Sequence, residues 1–120
     1  MRSAGTGHNA SMIIYLGLGS NLGDRESNLK SAIQGLSARA VEIVRSASIY
    51  LTEPRDLLDQ PWFLNTVVEC STLLKPPALL ETCLAVEQEN HRLRSGGKGP
   101  RTLDIDIIFY GDEIIQIPGL

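Results

Sequence analysis

Apolar residues that recur with two different periods divide the first half of the chain into strands, a helix and a loop. A β-branched and aromatic run at 12–18 stops at Gly-Ser-Asn, which predicts a strand that enters a loop. Asp24 can cap the helix that follows, whose apolar residues recur every three or four positions for about 15 residues. A second strand is predicted to begin at 41–44 and to continue to Tyr50. Residues 51–61 carry two prolines and three acids without periodicity, which predicts a long loop.

The second half of the chain repeats this alternation. Its predicted elements are a strand at 63–70, a helix from the prolines at 76 and 77 to about Arg92, a glycine-rich turn at 95–100, a strand at 102–110 and a short strand at 113–115. The order β-α-β-β-α-β is that of the ferredoxin-like split βαβ motif. We therefore expect an α+β, ferredoxin-like β-α-β-β-α-β sandwich, in which one antiparallel sheet carries both helices on one face.

Length and charge restrict the function further. The chain has 120 residues, which is the size of a single domain. Its content of 42% apolar and 21% charged residues is typical of soluble globular proteins. A formal net charge of −3 disfavours a generally basic nucleic-acid or membrane-surface binder but leaves room for a local basic patch. No apolar run approaches the ~18 residues of a membrane span. We expect residues 1–12 to be a disordered leader and residues 13–120 to form one monomeric domain.

The two cysteines, Cys70 and Cys83, lie in segments with apolar periodicity and lack the spacing of a metal site. We interpret them as buried thiols rather than as a disulfide or a zinc site, since free thiols are typical of a reducing compartment. The sequence therefore favours a cytoplasmic protein.

The strongest candidate chemistry is a pair of acids in the last long strand. Alternate residues of a strand share a face, so Asp104 and Asp106 project together while Leu103, Ile105 and Ile107 face the core. Their Cα atoms would lie about 6.6 Å apart, a gap that suits a hard cation such as Mg²⁺ bound by carboxylate and phosphate oxygens. An exposed strand face with two solvated acids explains the pattern equally well.

Four cations precede this strand: Arg92, Arg94, Lys98 and Arg101. Arginine binds phosphate in bidentate fashion, and a glycine-rich turn lets the backbone approach a polyanion. Favourable interaction with the helix dipole explains Arg92 and Arg94 as well, but it does not explain Arg101 beside two carboxylates. Cations next to an acid pair are what Mg²⁺-dependent nucleotide chemistry requires.

Trp62, Phe63 and Asn65, which follow the predicted loop, indicate a second group of binding residues beside the acids and cations. An aromatic ring and an amide on one strand face can stack on a heterocycle and read its hydrogen-bonding edge. The competing interpretation makes Phe63 a core residue and Asn65 a cap at the end of the strand.

Five segments together resemble the 6-hydroxymethyl-7,8-dihydropterin pyrophosphokinase family of folate biosynthesis. They occur in the family's order over about residues 13–115: GSNLGD at 19–24, YLTEP at 50–54, DQPWFLN at 59–65, EQENHRLR at 87–94 and GPRTLDID at 99–106. This resemblance implies a ferredoxin-like fold and transfer of pyrophosphate from ATP to the hydroxymethyl group of the pterin, with release of AMP.

By this resemblance Asp104 and Asp106 would hold two Mg²⁺ ions, and with Arg92 and Arg101 they would form the catalytic set. The residues implied at the nucleotide are Glu87, Arg92, Arg94, Lys98, Arg101 and Ile107. The residues implied at the pterin are Thr52, Pro54, Phe63, Asn65 and Asp104. The expected small-molecule partners are therefore ATP and the dihydropterin, without nucleic acid or membrane.

The family's sequences continue beyond Leu120, and many of its members carry a tryptophan near Lys98. We therefore expect a C-terminally shortened member of the family, for which a non-catalytic module that binds nucleotide or pterin is the alternative. A ferredoxin-like RNA-binding domain is a third interpretation. The net charge of −3 and the scarcity of aromatic residues disfavour it.

Overall fold

The computed structural model describes residues 11–47, 50–52, 62–90 and 102–115. In chain order the elements are β1 (Met12–Ser20), α1 (Arg25–Ser37), β2 (Val41–Ser46), β3 (Tyr50–Thr52), β4 (Phe63–Thr72), α2 (Pro76–Asn90), β5 (Asp104–Tyr110) and β6 (Glu113–Ile114). None of the helices in these ranges is long and apolar enough to cross a membrane.

The strands form one antiparallel sheet in the order β2-β4-β1-β5-β6, and β3 pairs with the end of β4 that β2 does not reach. β1, the first strand of the chain, therefore lies in the interior between β4 and β5. Taking β2 and β3 as two parts of one strand, the chain follows the β-α-β-β-α-β order, and the predicted α+β, ferredoxin-like class is confirmed.

Both helices pack on the same face of this sheet. Alternate residues of β1 are fully buried on that face, and the two helices contribute their own apolar stripes to the same core. The residues that form it include Ile14, Leu16, Leu18, Leu29, Leu36, Leu79, Val86 and Ile107. The opposite face, here called the outer face, carries the polar residues of the predicted site.

The connection from β1 to α1 is fixed by side-chain hydrogen bonds. Asp24 caps the helix by accepting from the Ser27 backbone N–H at 3.1 Å, as its position in the sequence predicts. The Asn28 amide donates back to the Ser20 hydroxyl at 3.1 Å and to the Leu22 carbonyl at 2.8 Å. These bonds hold the end of β1 rigidly against the start of α1.

The predicted extent of the second strand is wrong. β2 ends at Ser46 after a bulge between Ile43 and Arg45, and a separate β3 begins at Tyr50. The bulge bends the strand only locally, because pairing with β4 resumes at Arg45 and Ser46. At the next residue, the Ala47 carbonyl accepts from the Thr66 hydroxyl at 3.0 Å, and residues 48 and 49 lie outside the described ranges. The predicted loop also begins later than residue 51, because Leu51 and Thr52 pair with β4. Residues 53–61 lie outside the described ranges.

Three further boundaries differ by two residues from the prediction. β1 continues past residue 18 to Ser20, because Gly19 and Ser20 still pair with β4. β4 continues to Thr72, whose hydroxyl donates to the Ala40 carbonyl at 2.8 Å and accepts from the Leu74 N–H at 3.1 Å. β5 begins at Asp104, since Thr102 lies in a bend and only from Asp104 does the strand pair with β1. The predicted helix end near Arg92 and the turn at 95–100 are outside the described residues.

The prediction of two buried thiols is confirmed. Cys70 and Cys83 are free and buried in the core between the sheet and α2. Burial is the main cause that raises the pKa of each thiol to about 12, and the negative charges of Glu69 near Cys70 and of Glu87 near Cys83 add to it.

Candidate functional site

The outer face brings the predicted acids and amide into one row. Gly19 of β1 pairs with Asn65 of β4 on one side and with Asp104 of β5 on the other. Two residues earlier on β1, Gly17 pairs with Asp106. Because directly paired residues of antiparallel strands project to the same side, Asn65 and both aspartates share the outer face. The site is thus built across three neighbouring strands.

The two glycines of β1 form a strip without side chains through the middle of the site. A Cβ atom on Gly19 would lie 2.8 Å from the Asn65 Oδ1 and 3.4 Å from the Phe63 Cδ1. A Cβ atom on Gly17 would lie 3.3 Å from the end of the Ile108 side chain. Glycine inside a strand often marks such a close approach. Here it lets the aromatic ring and the amide of β4 lean over β1.

The acid pair of β5 has the predicted orientation. Asp104 and Asp106 are half-buried, whereas Ile105 and Ile107 between and beyond them are only 7% and 6% exposed, in the core. The side chain of Ile107 therefore faces away from the two aspartates. At ~3.3 Å rise per residue, the carboxylates start from Cα atoms about 6.6 Å apart.

The donor chemistry of this pair fits a hard divalent cation that also binds a ligand. Among the described residues there is no cluster of three or more His, Cys, Asp or Glu that could hold a metal ion by itself. Mg²⁺ keeps several waters and is commonly held by one or two carboxylates plus substrate phosphates. Asp104 and Asp106 lie next to the glycine strip on the outer face, so a phosphate bound through such a cation would meet no β1 side chain at positions 17 and 19.

Glu87, in the last turn of α2, reaches the acid pair from behind. Its Oε2 accepts a hydrogen bond of 2.7 Å from the backbone N–H of Ile105, the residue between the two aspartates. The resemblance implied a place for Glu87 at the nucleotide. The structure places its carboxylate against the main chain of β5.

The opposite wall of the site begins where β4 enters the sheet. The Arg25 guanidinium of α1 donates to the Trp62 carbonyl at 2.6 Å, and the Asn65 amide donates to the Phe63 carbonyl at 3.3 Å. Thr52 of β3 pairs with Phe63, so its position in the sheet adjoins this wall. The side chain of Thr52 lies outside the described residues. So do the remaining site residues that the sequence predicted, which are Pro54, Arg92, Arg94, Lys98 and Arg101.

Residues 15–119 match the family model for 7,8-dihydro-6-hydroxymethylpterin-pyrophosphokinase, and this match covers most of the chain and every residue of the row that builds the site. The chain belongs to this pyrophosphokinase family. The Methylorubrum extorquens 2-amino-4-hydroxy-6-hydroxymethyldihydropteridine pyrophosphokinase is 41% identical over 110 residues, which are 87% of this chain and 70% of that protein.

Other relatives differ in the share of their length that the chain covers. The pyrophosphokinase of the same name from Bacillus subtilis is 44% identical over 105 residues, which are 87% of this chain and 63% of that protein. The mitochondrial folate synthesis bifunctional protein of Pisum sativum is 38% identical over 110 residues, 88% of this chain but 21% of that protein. The chain thus spans from 21% to 70% of the length of these three relatives.

The structure adds site residues of this pyrophosphokinase-family chain that the sequence analysis did not assign. Gly17 and Gly19 form the strip, and Arg25 fixes the main chain at Trp62. Two glycines on one face of an apolar strand are a sequence pattern that indicates a close approach and could have identified the strip. The contact of Arg25 joins residues 37 positions apart, and no local pattern predicts it.

Proposed function

We propose that this chain transfers pyrophosphate from ATP to 6-hydroxymethyl-7,8-dihydropterin and releases AMP, as a step of folate biosynthesis. The observation that carries the proposal is the Asn65–Gly19–Asp104 row in a chain of this family. It places an amide and an aromatic ring on β4 and a pair of carboxylates on β5, on either side of the two glycines of β1. Two strand spacings are about 10 Å, enough to seat a small heterocycle beside a phosphate chain.

The pterin belongs on the β4 side of the strip. The Phe63 ring can stack on the flat heterocycle, and the Asn65 amide offers one donor and one acceptor group to its edge. Both side chains are half-buried, which strengthens such hydrogen bonds relative to water. Thr52 and Pro54 complete this wall in our proposal.

The triphosphate belongs on the β5 side. Asp104 and Asp106 would hold two Mg²⁺ ions, whose remaining positions are filled by phosphate oxygens and water. When bound, these ions neutralise phosphate charge and polarise the group that is transferred. In our proposal Arg92, Arg94, Lys98 and Arg101 also contact the nucleotide through their charge. Ile107 would reach the nucleotide through the main chain of β5, and Glu87 acts on the nucleotide site through its hydrogen bond to that main chain.

In the reaction, the hydroxymethyl oxygen of the pterin forms a bond to the β-phosphorus of ATP. The bond between that phosphorus and the oxygen bridging it to the α-phosphorus breaks, AMP leaves, and the hydroxyl proton is released. The protein's task is to align the attacking oxygen with the leaving oxygen and to exclude water, since phosphoryl transfer depends mostly on position and electrostatics. The row across β4, β1 and β5 supplies that alignment.

The test is AMP formation from MgATP with and without the pterin, in the wild type and in a matched pair of variants. Asp106→Asn removes a site carboxylate, whereas Asp112→Asn removes an exposed one in the turn before β6. We expect pterin-dependent AMP, a loss of about 10²-fold or more in Asp106→Asn, and little change in Asp112→Asn. Saturable binding of both substrates without AMP would contradict the proposal and favour a binding module instead.

The setting of this activity is part of the proposal. Two free, buried thiols support a reducing compartment, which we propose to be the cytoplasm. The row of site residues lies within one sheet of a single chain, which supports a monomer as the working unit.

A further inference from the structure

The carboxylate of Glu87 lies behind the acid pair, on the edge of β5. On one edge, β5 pairs with β1 from Asp104 onward, whereas on its other edge β6 pairs only with Phe109 and Tyr110. The N–H of Ile105 donates to Glu87 Oε2 at 2.7 Å instead of to a strand. A helix side chain therefore takes the place of a strand partner at the residue between Asp104 and Asp106.

This contact has the properties of a strong hydrogen bond. An ionised acceptor makes it charge-assisted, and both residues are largely shielded from water, with Ile105 7% exposed and Glu87 half-buried. Glu87 is one turn beyond Cys83, a core residue of α2, so the helix that carries the carboxylate is itself anchored in the core. The bond therefore ties the main chain of β5 to a rigid element.

We propose that Glu87 is a positioning residue for the acid pair. By fixing the Ile105 amide it holds the backbone from which both aspartates project, and its negative charge behind them increases the affinity of the pair for a divalent cation. Glu87 acts through β5 and need not touch the nucleotide. The inference deepens the proposed function, because it concerns the same metal-binding carboxylates.

Two substitutions separate the hydrogen bond from the charge. Glu87→Gln keeps an acceptor oxygen at the same place and removes only the charge, whereas Glu87→Ala removes both. Glu81→Ala is the matched control, since Glu81 is an exposed carboxylate on the same helix. Each variant is examined by amide hydrogen exchange of Ile105 without ligand. Each is also titrated calorimetrically with the Mn²⁺ complex of an ATP analogue that has a methylene group between its α- and β-phosphorus atoms.

In Glu87→Ala we expect the Ile105 amide to exchange at least about tenfold faster, because the variant loses one charge-assisted hydrogen bond that protects this amide. The Leu16 amide in the middle of β1 serves as the reference, because a general loss of stability accelerates both amides. The Kd of the Mn²⁺ complex should rise about tenfold. In Glu87→Gln the Ile105 amide should stay protected while the Kd rises several-fold, and Glu81→Ala should match the wild type.

Unchanged Ile105 exchange relative to Leu16 in Glu87→Ala would overturn the positioning role, and so would an equal effect of Glu81→Ala. If Glu87→Ala does not fold, Glu87→Gln decides. In Glu87→Gln, a Kd like that of the wild type would overturn the proposed effect of the charge. Rapid exchange of the Ile105 amide in the same variant would overturn the proposal that the glutamine keeps the hydrogen bond. Neither measurement uses pterin or turnover. Absence of AMP formation by the wild type would therefore count against the proposed function and leave this test intact.

Discussion

Gly19→Ala is the change that tests the geometry of the site most finely. The added methyl would lie 2.8 Å from Asn65 Oδ1, a distance that Cβ atoms essentially never adopt, and 3.4 Å from Phe63 Cδ1. To restore ordinary contact the Asn65 amide must retreat by about half an ångström or more. The backbone of Gly19 is regular strand, so the substitution itself introduces no left-handed strain.

The displaced amide should lose most of its hydrogen bonding to the pterin. Two neutral hydrogen bonds contribute about 1–3 kcal/mol, so we expect the pterin KM to rise roughly tenfold to a hundredfold. The free energy of unfolding should fall by no more than about 2 kcal/mol, because the gain of about 0.5–1 kcal/mol from replacing a strand glycine by alanine partly offsets the cost of moving the Asn65 amide.

The assay is steady-state AMP formation at saturating MgATP with varied pterin, accompanied by thermal unfolding. Gly17→Ala is the matched control, since its methyl would meet only the flexible end of Ile108, at 3.3 Å, and should change the pterin KM less than about threefold. An unchanged pterin KM in Gly19→Ala, or equal effects of the two substitutions, would refute the assignment of Asn65 to the pterin.

Three further predictions concern other parts of the fold. Arg25→Ala frees the carbonyl of Trp62, so the fluorescence of this single tryptophan should shift and the pterin KM should rise more than the KM for ATP; equal changes in both would contradict a local role. Ala40 has a φ of 68°, so Ala40→Gly should raise the free energy of unfolding by about 0.5–1 kcal/mol in urea titrations, and a decrease would contradict strain there. The thiols of Cys70 and Cys83 have pKa values of about 12 when folded, above their usual value of 9.0. Their contribution to stability is therefore complete below pH 9 and is lost as the pH rises toward 12; urea unfolding at pH 8 and pH 10 should show this decline, less steeply in Cys83→Ala.

The elements of the fold follow from local patterns where those patterns are strong. A β-branched and aromatic run predicts β1, and acids that alternate with apolar residues predict the start of β5. Asp24 predicts the start of α1, because its capping bond is made within three residues. The break between β2 and β3 was not predicted, because the extent of each strand depends on its pairing with β4, far along the chain.

Features of the site can likewise be divided into those that local sequence patterns predict and those that depend on long-range contacts. The common face of Asp104 and Asp106 follows from strand geometry alone. Their place beside Asn65 depends on the order of the strands, which the sequence indicates only through the fold class. The hydrogen bond of Glu87 to Ile105 is a long-range contact of one side chain with one amide, and no periodicity predicts it.

The central claim is transfer of a pyrophosphoryl group, and ³¹P NMR of the products of MgATP and 6-hydroxymethyl-7,8-dihydropterin tests it most directly. We predict equal amounts of AMP and of a pterin bearing two linked phosphorus atoms, formed by the wild type and by Asp112→Asn but not by Asp106→Asn. ADP with a singly phosphorylated pterin, or nucleotide hydrolysis that leaves the pterin unchanged, would contradict the account.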